Sequence, residues 1–330
     1  MTSYINQTMR SMRPSNFEEL EEKYLLDKIL TTNSYCWKMD ITERDIKKWL
    51  DNFKGEIFSQ EEERKIALFL LVNFVIYSFD EFKYLCKEAF SNYIREVVTV
   101  DEVESNDVVE IIRKTKFVPL GNPSESSTSI MYYFRTENYL QTTCFDYIGK
   151  NTKNEYKDTN LVFIEDITSS GQQFVQYYSE LIKSNIIHFD SCRIFVVYLV
   201  SNKSAEKTIK SHYPNIKVIR VVDIDERAYG VSKDSYIYHN DVDINHKCVT
   251  LMNHYGTKLE NSNPDPDNII KALGFGDKAQ MFGFYYNIPD NVCPIFWERR
   301  DEWFGIFKRH KKSYKNEIGG DYFDKYIEYI

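Results

Sequence analysis

Between residues 116 and 222 the sequence alternates short apolar runs with segments of helical spacing, and this alternation constrains the fold most strongly. Four runs predict β-strands: Lys116–Leu120, Leu161–Ile164, Arg193–Val200 and Ile216–Val222. Gln172–Ser184 and Ala205–His212 have helical spacing, whereas Met131–Arg135 fits a strand or a helix. Strands that alternate with helices are typical of a parallel sheet with crossover helices. We therefore expect an α/β fold with a mostly parallel central sheet.

The residues that precede this region predict an α-helical N-terminal region. Ser15, Thr42 and Ser59 are each followed three residues later by an acid, a pattern that favours the start of a helix. The predicted helices are Phe17–Leu30, one that begins after Thr42, Gln60–Tyr77, Phe79–Val98 and Asp101–Lys114. Near the other end we predict a helix through Leu273, capped by residues 264–267, and a last strand at Met281–Tyr286. The predicted organisation is a helical region at residues 1–115 packed as one unit with an α/β domain at residues 116–330.

Composition limits the classes of function. The 330 residues carry a formal net charge of -8, which disfavours a protein whose main task is to coat nucleic acid. No apolar run approaches the roughly 18 residues that a membrane span needs, and the first residues lack the pattern of a secretion signal. The six cysteines are scattered without a Cys-x-x-Cys pair, as in reduced intracellular proteins. We expect a cytoplasmic protein without a membrane partner.

The segment Leu161–Gln173, LVFIEDITSSGQQ, carries the residues best suited to chemistry. A buried strand delivers the carboxylates of Glu165 and Asp166 to its C-terminal edge, where open α/β sheets bind ligands. A hydroxyl-rich turn and the start of a helix follow, and a helix N-terminus favours an anion. The candidate binding residues there are Thr168, Ser169, Ser170, Gly171 and Gln173. These residues predict a phosphate cradle beside an acidic pair that suits the vicinal hydroxyls of a ribose. The alternative is that the hydroxyls merely cap the next helix.

This order resembles the phosphoribosyl-diphosphate (PRPP) binding motif of the type I phosphoribosyltransferase family. In that motif an apolar strand, two acids, three residues and Thr-Gly precede a helix. Glu165 and Asp166 match the acids, while Ser170 and Gly171 match Thr-Gly. The resemblance implies that the acids hold the ribose hydroxyls and that the backbone of residues 168–171 holds the 5-phosphate. The first acid is Glu, Ser replaces Thr, and Gln173 stands where a Thr is usual, which puts ordinary base-salvage transfer in doubt.

Other segments in matching order extend the resemblance over roughly residues 40–310. They are Trp49–Phe53, Val118–Ser127, Leu273–Gln280, Asn287–Trp297 and Trp303–Arg309. Together they resemble a divergent phosphoribosyltransferase-like family from bacterial conflict systems. The family places its pyrophosphate loop where Val118–Ser127 stands, so the resemblance implies diphosphate contacts from Gly121, Ser126, Ser127 and Arg135. It also implies Mg²⁺ held mainly by substrate phosphates, and no metal site made by the protein alone.

The resemblance implies an effector of bacterial anti-phage defence, toxic when released, that acts on PRPP or a nucleotide by glycosyl transfer or N-glycosidic cleavage. Its controller is expected to be a protein or a nucleic acid, and a homo-oligomer is left open. One alternative is a catalytically inactive sensor or scaffold subunit that keeps the ribose-phosphate pocket. Another is a nucleic-acid-associated subunit of a defence complex that acts through the basic and aromatic cluster at residues 299–312.

Three polar clusters outside the main segment have simpler interpretations. His239, Asp241, Asp243 and His246 include metal-ligand types, but their spacing is nonspecific and the segment is interpreted as a polar loop. Residues 223–229 end a strand at the same predicted sheet edge and either contact the ligand or form a solvated ion pair. Residues 299–312 either contact a partner or form a solvated helix face, and Trp297 and Trp303 are expected to pack in a core.

Overall fold

The computed structural model describes residues 17–18, 20–101, 108–121, 126–148, 156–183, 192–263, 270–300 and 302–309. The chain divides into two compact units. Unit 1 contains residues up to 76 and from 229 onwards, and unit 2 contains residues 77–228. Neither boundary coincides with the predicted one at 115/116, because the helix Phe79–Asp101 packs on the sheet of unit 2. None of the helices in the described ranges is both long and apolar enough to cross a membrane.

The helices and strands are numbered in chain order. The helices are α1 Glu22–Thr32, α2 Glu43–Leu50, α3 Gln60–Val72, α4 Phe79–Asp101, α5 Val108–Arg113, α6 Ser126–Glu137, α7 Gln172–Lys183, α8 Lys203–His212 and α9 Val242–Asn261. The strands are β1 Val75–Tyr77, β2 Thr115–Pro119, β3 Asn160–Thr168, β4 Arg193–Asn202, β5 Lys217–Ile224, β6 Phe282–Phe284, β7 Arg299–Arg300 and β8 Trp303–Phe304. The ambiguous run Met131–Arg135 lies in a helix, α6.

Unit 2 is built on a four-stranded sheet in the order β2-β3-β4-β5, in which all three pairs are parallel. The predicted α/β class and its parallel sheet are confirmed. Beyond the four strands, Phe145 forms a parallel bridge with Phe117 of β2, on the side away from β3. The chain that leaves β2 therefore reaches the outer side of β2 first and returns to form β3 afterwards. The direction of strand progression reverses between β2 and β3.

This reversal explains why the helices cover both faces of the sheet. Right-handed crossovers that run in opposite directions along a sheet lie on opposite faces. On one face, Phe134 of α6 and Tyr93 of α4 pack against the ring of Phe117. On the other face, Phe174 of α7 packs against Phe163 of β3. Unit 2 is therefore a three-layer arrangement with its core on both faces of the sheet.

Unit 1 contains the N-terminal helices and the C-terminal segments around one hydrophobic cluster. Thr42 and Asp45 form the predicted capping box of α2, and the Ser59 hydroxyl caps α3; Ser15 lies outside the described residues. Trp49 donates its indole N–H to the Ile295 carbonyl at 2.8 Å. Trp297 and Trp303 are buried in the same cluster, as expected for packing residues.

Three predicted elements of unit 1 are wrong in part. Helix α3 ends at Val72 rather than near Tyr77, and β1 follows, with the Val75 N–H donating to the Met281 carbonyl at 2.9 Å. The segment interpreted as a polar loop at 239–246 contains the start of α9, which Asp241 caps by accepting two backbone N–H groups. Residues 270–273 are not helical, and residues 264–269 lie outside the described ranges.

The aromatic face of the sheet gives a test of this packing. Phe117 is 0 % exposed, and its ring contacts those of Tyr93, Phe134 and Phe145. We expect Phe117→Ala to lower the free energy of unfolding by about 3–5 kcal/mol, because it leaves a cavity that the neighbouring rings cannot fill. Urea denaturation measures the change. Tyr139→Ala is the control, because Tyr139 is 94 % exposed and its loss should cost less than about 0.5 kcal/mol. Equal effects of the two substitutions would contradict the packing described.

Candidate functional site

The acidic pair lies inside β3 rather than after it. β3 stays paired with β4 through Ile167↔Val200 and Thr168↔Ser201, beyond the predicted end at Ile164. Glu165 is 4 % exposed and Asp166 is 7 % exposed. Successive strand residues point to opposite faces. Glu165 therefore shares the α7 face with Phe163, and Asp166 lies on the α6 face. Both carboxylates stand at the C-terminal end of the sheet, one on each side of β3.

The turn after β3 leads directly into α7. Gly171 has φ +75, a left-handed conformation that favours glycine. The Thr168 hydroxyl accepts the Gly171 N–H at 3.0 Å, and the Ser170 hydroxyl accepts the Gln172 N–H at 3.4 Å. The capping interpretation is therefore correct for these two hydroxyls, which engage the N–H groups of Gly171 and Gln172. A hydroxyl that accepts a hydrogen bond can still donate its own proton, so capping does not remove these side chains as donors to an anion. Gln173 is exposed in the first turn of α7.

Helix α8 supports this turn closely. A Cβ atom at Gly171 would lie 2.8 Å from the Ala205 carbonyl oxygen of α8. The Ser204 hydroxyl donates to the Ser169 carbonyl at 3.0 Å. The buried Ser169 hydroxyl itself has no hydrogen-bond partner among the described residues. Helix α8 therefore contacts the backbone of this turn. Only a glycine at position 171 allows the turn to lie this close to α8.

The loop after β2 begins beside the acidic pair. The Leu120 N–H donates to the Ile164 carbonyl at 3.2 Å, which joins the end of β2 to β3 just before Glu165. Gly121 follows with φ +98. Residues 122–125 lie outside the described ranges, and Ser126 and Ser127 begin α6. Gly121 and the N-terminus of α6 are therefore at the same edge as Glu165 and Asp166.

Arg135 does not belong to this edge. It lies in the last turn of α6, about 14 Å along the helix axis from Ser126. Because a crossover helix runs antiparallel to its strands, that turn lies toward the opposite end of the sheet. The residues after Arg135 are tied to α4: Glu137 pairs with Lys83 and Lys87, and Asn138 donates to the Cys86 carbonyl. The contact of Arg135 with a diphosphate therefore stays a prediction, and the length of α6 does not favour it.

Residues from β4 that sequence reasoning missed complete the edge. Tyr198, the register partner of Glu165, is fully buried. Burial first, and then the charge of Glu165, raise the pKa of the Tyr198 phenol well above its ordinary value. Ser201 is buried beside Thr168, and Asn202 caps α8 by accepting the Ser204 N–H at 2.7 Å. The only sequence signal for Tyr198 was its place in the run Arg193–Val200, where an aromatic residue looks like ordinary core.

A family comparison agrees with this geometry. The model of the family PRTase-CE matches residues 46–309, well over half of the chain. The chain belongs to the PRTase-CE family, a phosphoribosyltransferase-like family. The match includes elements of both units. A search of curated proteins found no match.

The other polar clusters of this PRTase-CE protein are engaged in local structure. Arg227 forms a bidentate ion pair with Asp225, which raises the pKa of the guanidinium and lowers the pKa of the carboxyl. No group of three or more His, Cys, Asp or Glu side chains within the described ranges could hold a metal ion. The pair at the end of β5 is thus the solvated ion pair of the simpler interpretation.

The arginines of the 299–312 cluster are bound within unit 1. Arg299 lies over the Phe304 ring and donates to the Gly305 carbonyl. Arg300 donates to Ser262, and Arg309 lies over the Trp297 ring. Residues 310–312 lie outside the described ranges. These three arginines therefore take part in packing within unit 1, and β7 and β8 stand where a helix face was expected. Contact of the 299–312 cluster with a partner stays a prediction.

Because the turn at Gly171 is tight, we expect a methyl group there to lower the free energy of unfolding. In Gly171→Ala the new Cβ meets the Ala205 carbonyl and the residue keeps an unfavourable φ. The matched control is Gly276→Ala, because Gly276 has φ +79 and its nearest neighbour would be Lys278 Cε at 3.9 Å. We expect the control to lose about 1 kcal/mol of unfolding free energy from backbone strain. Gly171→Ala should lose at least about 1 kcal/mol more, from the steric clash. Equal losses in urea denaturation would contradict the close approach of α7 to α8.

Proposed function

We propose that this protein binds the ribose-phosphate part of PRPP or of a nucleotide at the C-terminal edge of β2 and β3. The observation that carries the proposal is the buried pair Glu165 and Asp166, followed within one turn by the N-terminus of α7. The pair lies next to the point where the strand order reverses. Ligands of open α/β sheets bind at such a reversal, outside the carboxyl ends of the strands.

The acids suit a sugar with vicinal hydroxyls. Carboxylates accept hydrogen bonds from hydroxyl groups, and acceptors in a water-poor site bind them more strongly than in solvent. Glu165 and Asp166 approach from opposite faces of β3, so each is assigned to one side of the ribose ring. In a transfer reaction the same negative charges would stabilise the positive charge that develops at C1′ as the leaving group departs.

The phosphate is assigned to the turn before α7. The first backbone N–H groups of a helix lack intrahelical acceptors, and the helix dipole favours an anion there. Gly171 lets the backbone come close. The proposed 5-phosphate cradle is the backbone of residues 168–171. The Thr168 and Ser170 hydroxyls accept the N–H groups of Gly171 and Gln172 and can still donate their own protons to the phosphate.

Mg²⁺ fits this site only together with the ligand. Carboxylate oxygens are the hard ligands that Mg²⁺ prefers, and Glu165 and Asp166 are the residues that would help to hold it. The described residues supply no third acidic or imidazole ligand, so the diphosphate oxygens would complete the coordination. The ion would neutralise charge on the diphosphate as it leaves.

A second candidate is a sensor or scaffold that binds the same ligand without transferring it. The placement of Arg135 favours it, because the guanidinium expected to meet the diphosphate lies toward the other end of the sheet. The position of Gln173, where the resembling motif has Thr, also favours it. In either case the family resemblance supports a role in bacterial anti-phage defence, with the transferring form acting as the toxic effector.

Calorimetry with PRPP and Mg²⁺ tests the site. We expect the wild type to bind and Asp166→Asn to bind at least about tenfold more weakly, because it removes the charge that accepts the ribose hydroxyls. The control is Asp158→Asn, since Asp158 is exposed before β3 with φ +53, a conformation that Asn tolerates. Asp158→Asn should bind as the wild type does. Equal binding by Asp166→Asn and the wild type would refute the site.

Analysis of the reaction products then distinguishes the enzyme from the sensor or scaffold. The wild type is incubated with PRPP or NAD, Mg²⁺ and the common nucleobases, and the mixture is analysed by mass spectrometry. A transferred or cleaved product that is absent with Asp166→Asn supports the enzyme. Binding without any product supports the sensor.

A further inference from the structure

The Tyr198 hydroxyl is a buried polar group without a hydrogen bond. Tyr198 lies in β4, is 0 % exposed, and packs in the cluster that contains Phe163 and Phe174. Its hydroxyl oxygen has no partner at hydrogen-bonding geometry among the described residues. Buried polar groups nearly always have a partner, and one without a partner costs stability. A phenylalanine would fill the same space without this cost, so the hydroxyl calls for an explanation.

The acidic neighbour of this hydroxyl is Glu165. The two residues are register partners on adjacent strands, whose axes are about 4.8 Å apart. They lie on the same face of the sheet, because paired residues of neighbouring strands point the same way. An ordinary tyrosine phenol is protonated at neutral pH, so the Tyr198 hydroxyl can act as a hydrogen-bond donor.

Two features indicate that the Tyr198 hydroxyl donates its hydrogen bond when a ligand is bound and not in the ligand-free protein. Glu165 has one more rotatable bond than Asp166, so a ligand can select among more carboxylate orientations. Hydrogen bonds at functional sites are often long or misaligned without ligand and shorten in the complex. Asp166 points to the opposite face of the sheet, so the phenol can act through Glu165 alone.

We propose that Tyr198 is a positioning residue: when a ribose-phosphate binds, its hydroxyl donates a hydrogen bond to the Glu165 carboxylate and orients it toward the ribose hydroxyls. This inference rests on the proposed function, since it assigns Glu165 to the sugar. It adds that the phenol sets the orientation of the first acid and does not touch the ligand itself.

The test combines Tyr198→Phe, Glu165→Gln and the double variant. Calorimetry with PRPP and Mg²⁺ gives the affinities, and thermal unfolding gives Tm for each protein. We expect Tyr198→Phe to bind about tenfold more weakly, the loss of one hydrogen bond to a charged group. Its Tm should equal or exceed that of the wild type, because no resting hydrogen bond is removed. The double variant should bind no more weakly than Glu165→Gln alone, because the phenol acts through that carboxylate.

Tyr178→Phe is the matched control. Tyr178 is buried in the same cluster and its ring stacks on Phe174 at 5.4 Å. Because it belongs to α7 rather than to the sheet edge, Tyr178→Phe should keep the affinity of the wild type. A loss of affinity in Tyr178→Phe equal to that in Tyr198→Phe would show that any change in this cluster weakens binding, and would overturn the inference.

The other outcomes separate this inference from the proposed function. If Glu165→Gln loses affinity while Tyr198→Phe binds like the wild type, the ribose site stands and the role of Tyr198 is refuted. Losses that add in the double variant, or a Tm of Tyr198→Phe several degrees below the wild type, also refute that role. If the wild type binds no PRPP, both the proposed function and this inference fail.

Discussion

The arrangement of unit 2 depends on the pairing of β3 with β2 on one side and β4 on the other. The chain between β2 and β3 first passes along the outer side of β2. The bridge between Phe117 and Phe145 is the evidence for this path of the chain. Because of it, α6 lies on one face of the sheet and α7 on the other. Open α/β sheets bind ligands at such a reversal of the strand order, and the acidic pair lies next to it.

The same strand shows how stability and function compete. The first seven residues of β3 are buried, and the last two of these are carboxylates. Placing charges in a buried strand costs free energy unless they are hydrogen-bonded or paired. One of the two carboxylates, Asp166, accepts the Ile167 N–H at 2.8 Å. Beside the other, Glu165, lies the Tyr198 phenol, which has no hydrogen-bond partner among the described residues. A cluster of buried polar groups at one edge of an otherwise apolar sheet is typical of a functional site.

The sequence identified the strands because buried parallel strands are continuous apolar runs, which need no tertiary information. It did not show that β3 continues through Glu165 and Asp166. The backbone hydrogen bonds that pair β3 with β4 do not depend on the side chains, so the two acids gave no sign of this pairing. Helix α9 was missed because its first residues are polar and resemble a loop. Tyr198 was hidden because only the register of β3 with β4 brings it beside Glu165. The position of Arg135 along the sheet was not predictable, because a run that fits strand or helix gives no helix length.

The division of the chain into these two units also could not be predicted from the sequence. Helical spacing in Phe79–Asp101 predicts a helix and its apolar face but not the surface that this face meets. That surface is the sheet of unit 2, where Tyr93 packs against Phe117 and Phe195. The candidate site, by contrast, follows from local order along the chain: a strand, two acids, a hydroxyl-rich turn, a glycine and a helix. Local order is what sequence reasoning recovers best.

Hydrogen exchange followed by mass spectrometry, with and without PRPP and Mg²⁺, tests the central claim most directly. The claim is that the ligand occupies the edge where the strand order reverses. It predicts slower exchange in peptides that contain residues 167–173 and the loop that begins at Gly121, with little change at β7, β8 and α9 of unit 1. Protection confined to unit 1, or to the α6 end that carries Arg135, would contradict it.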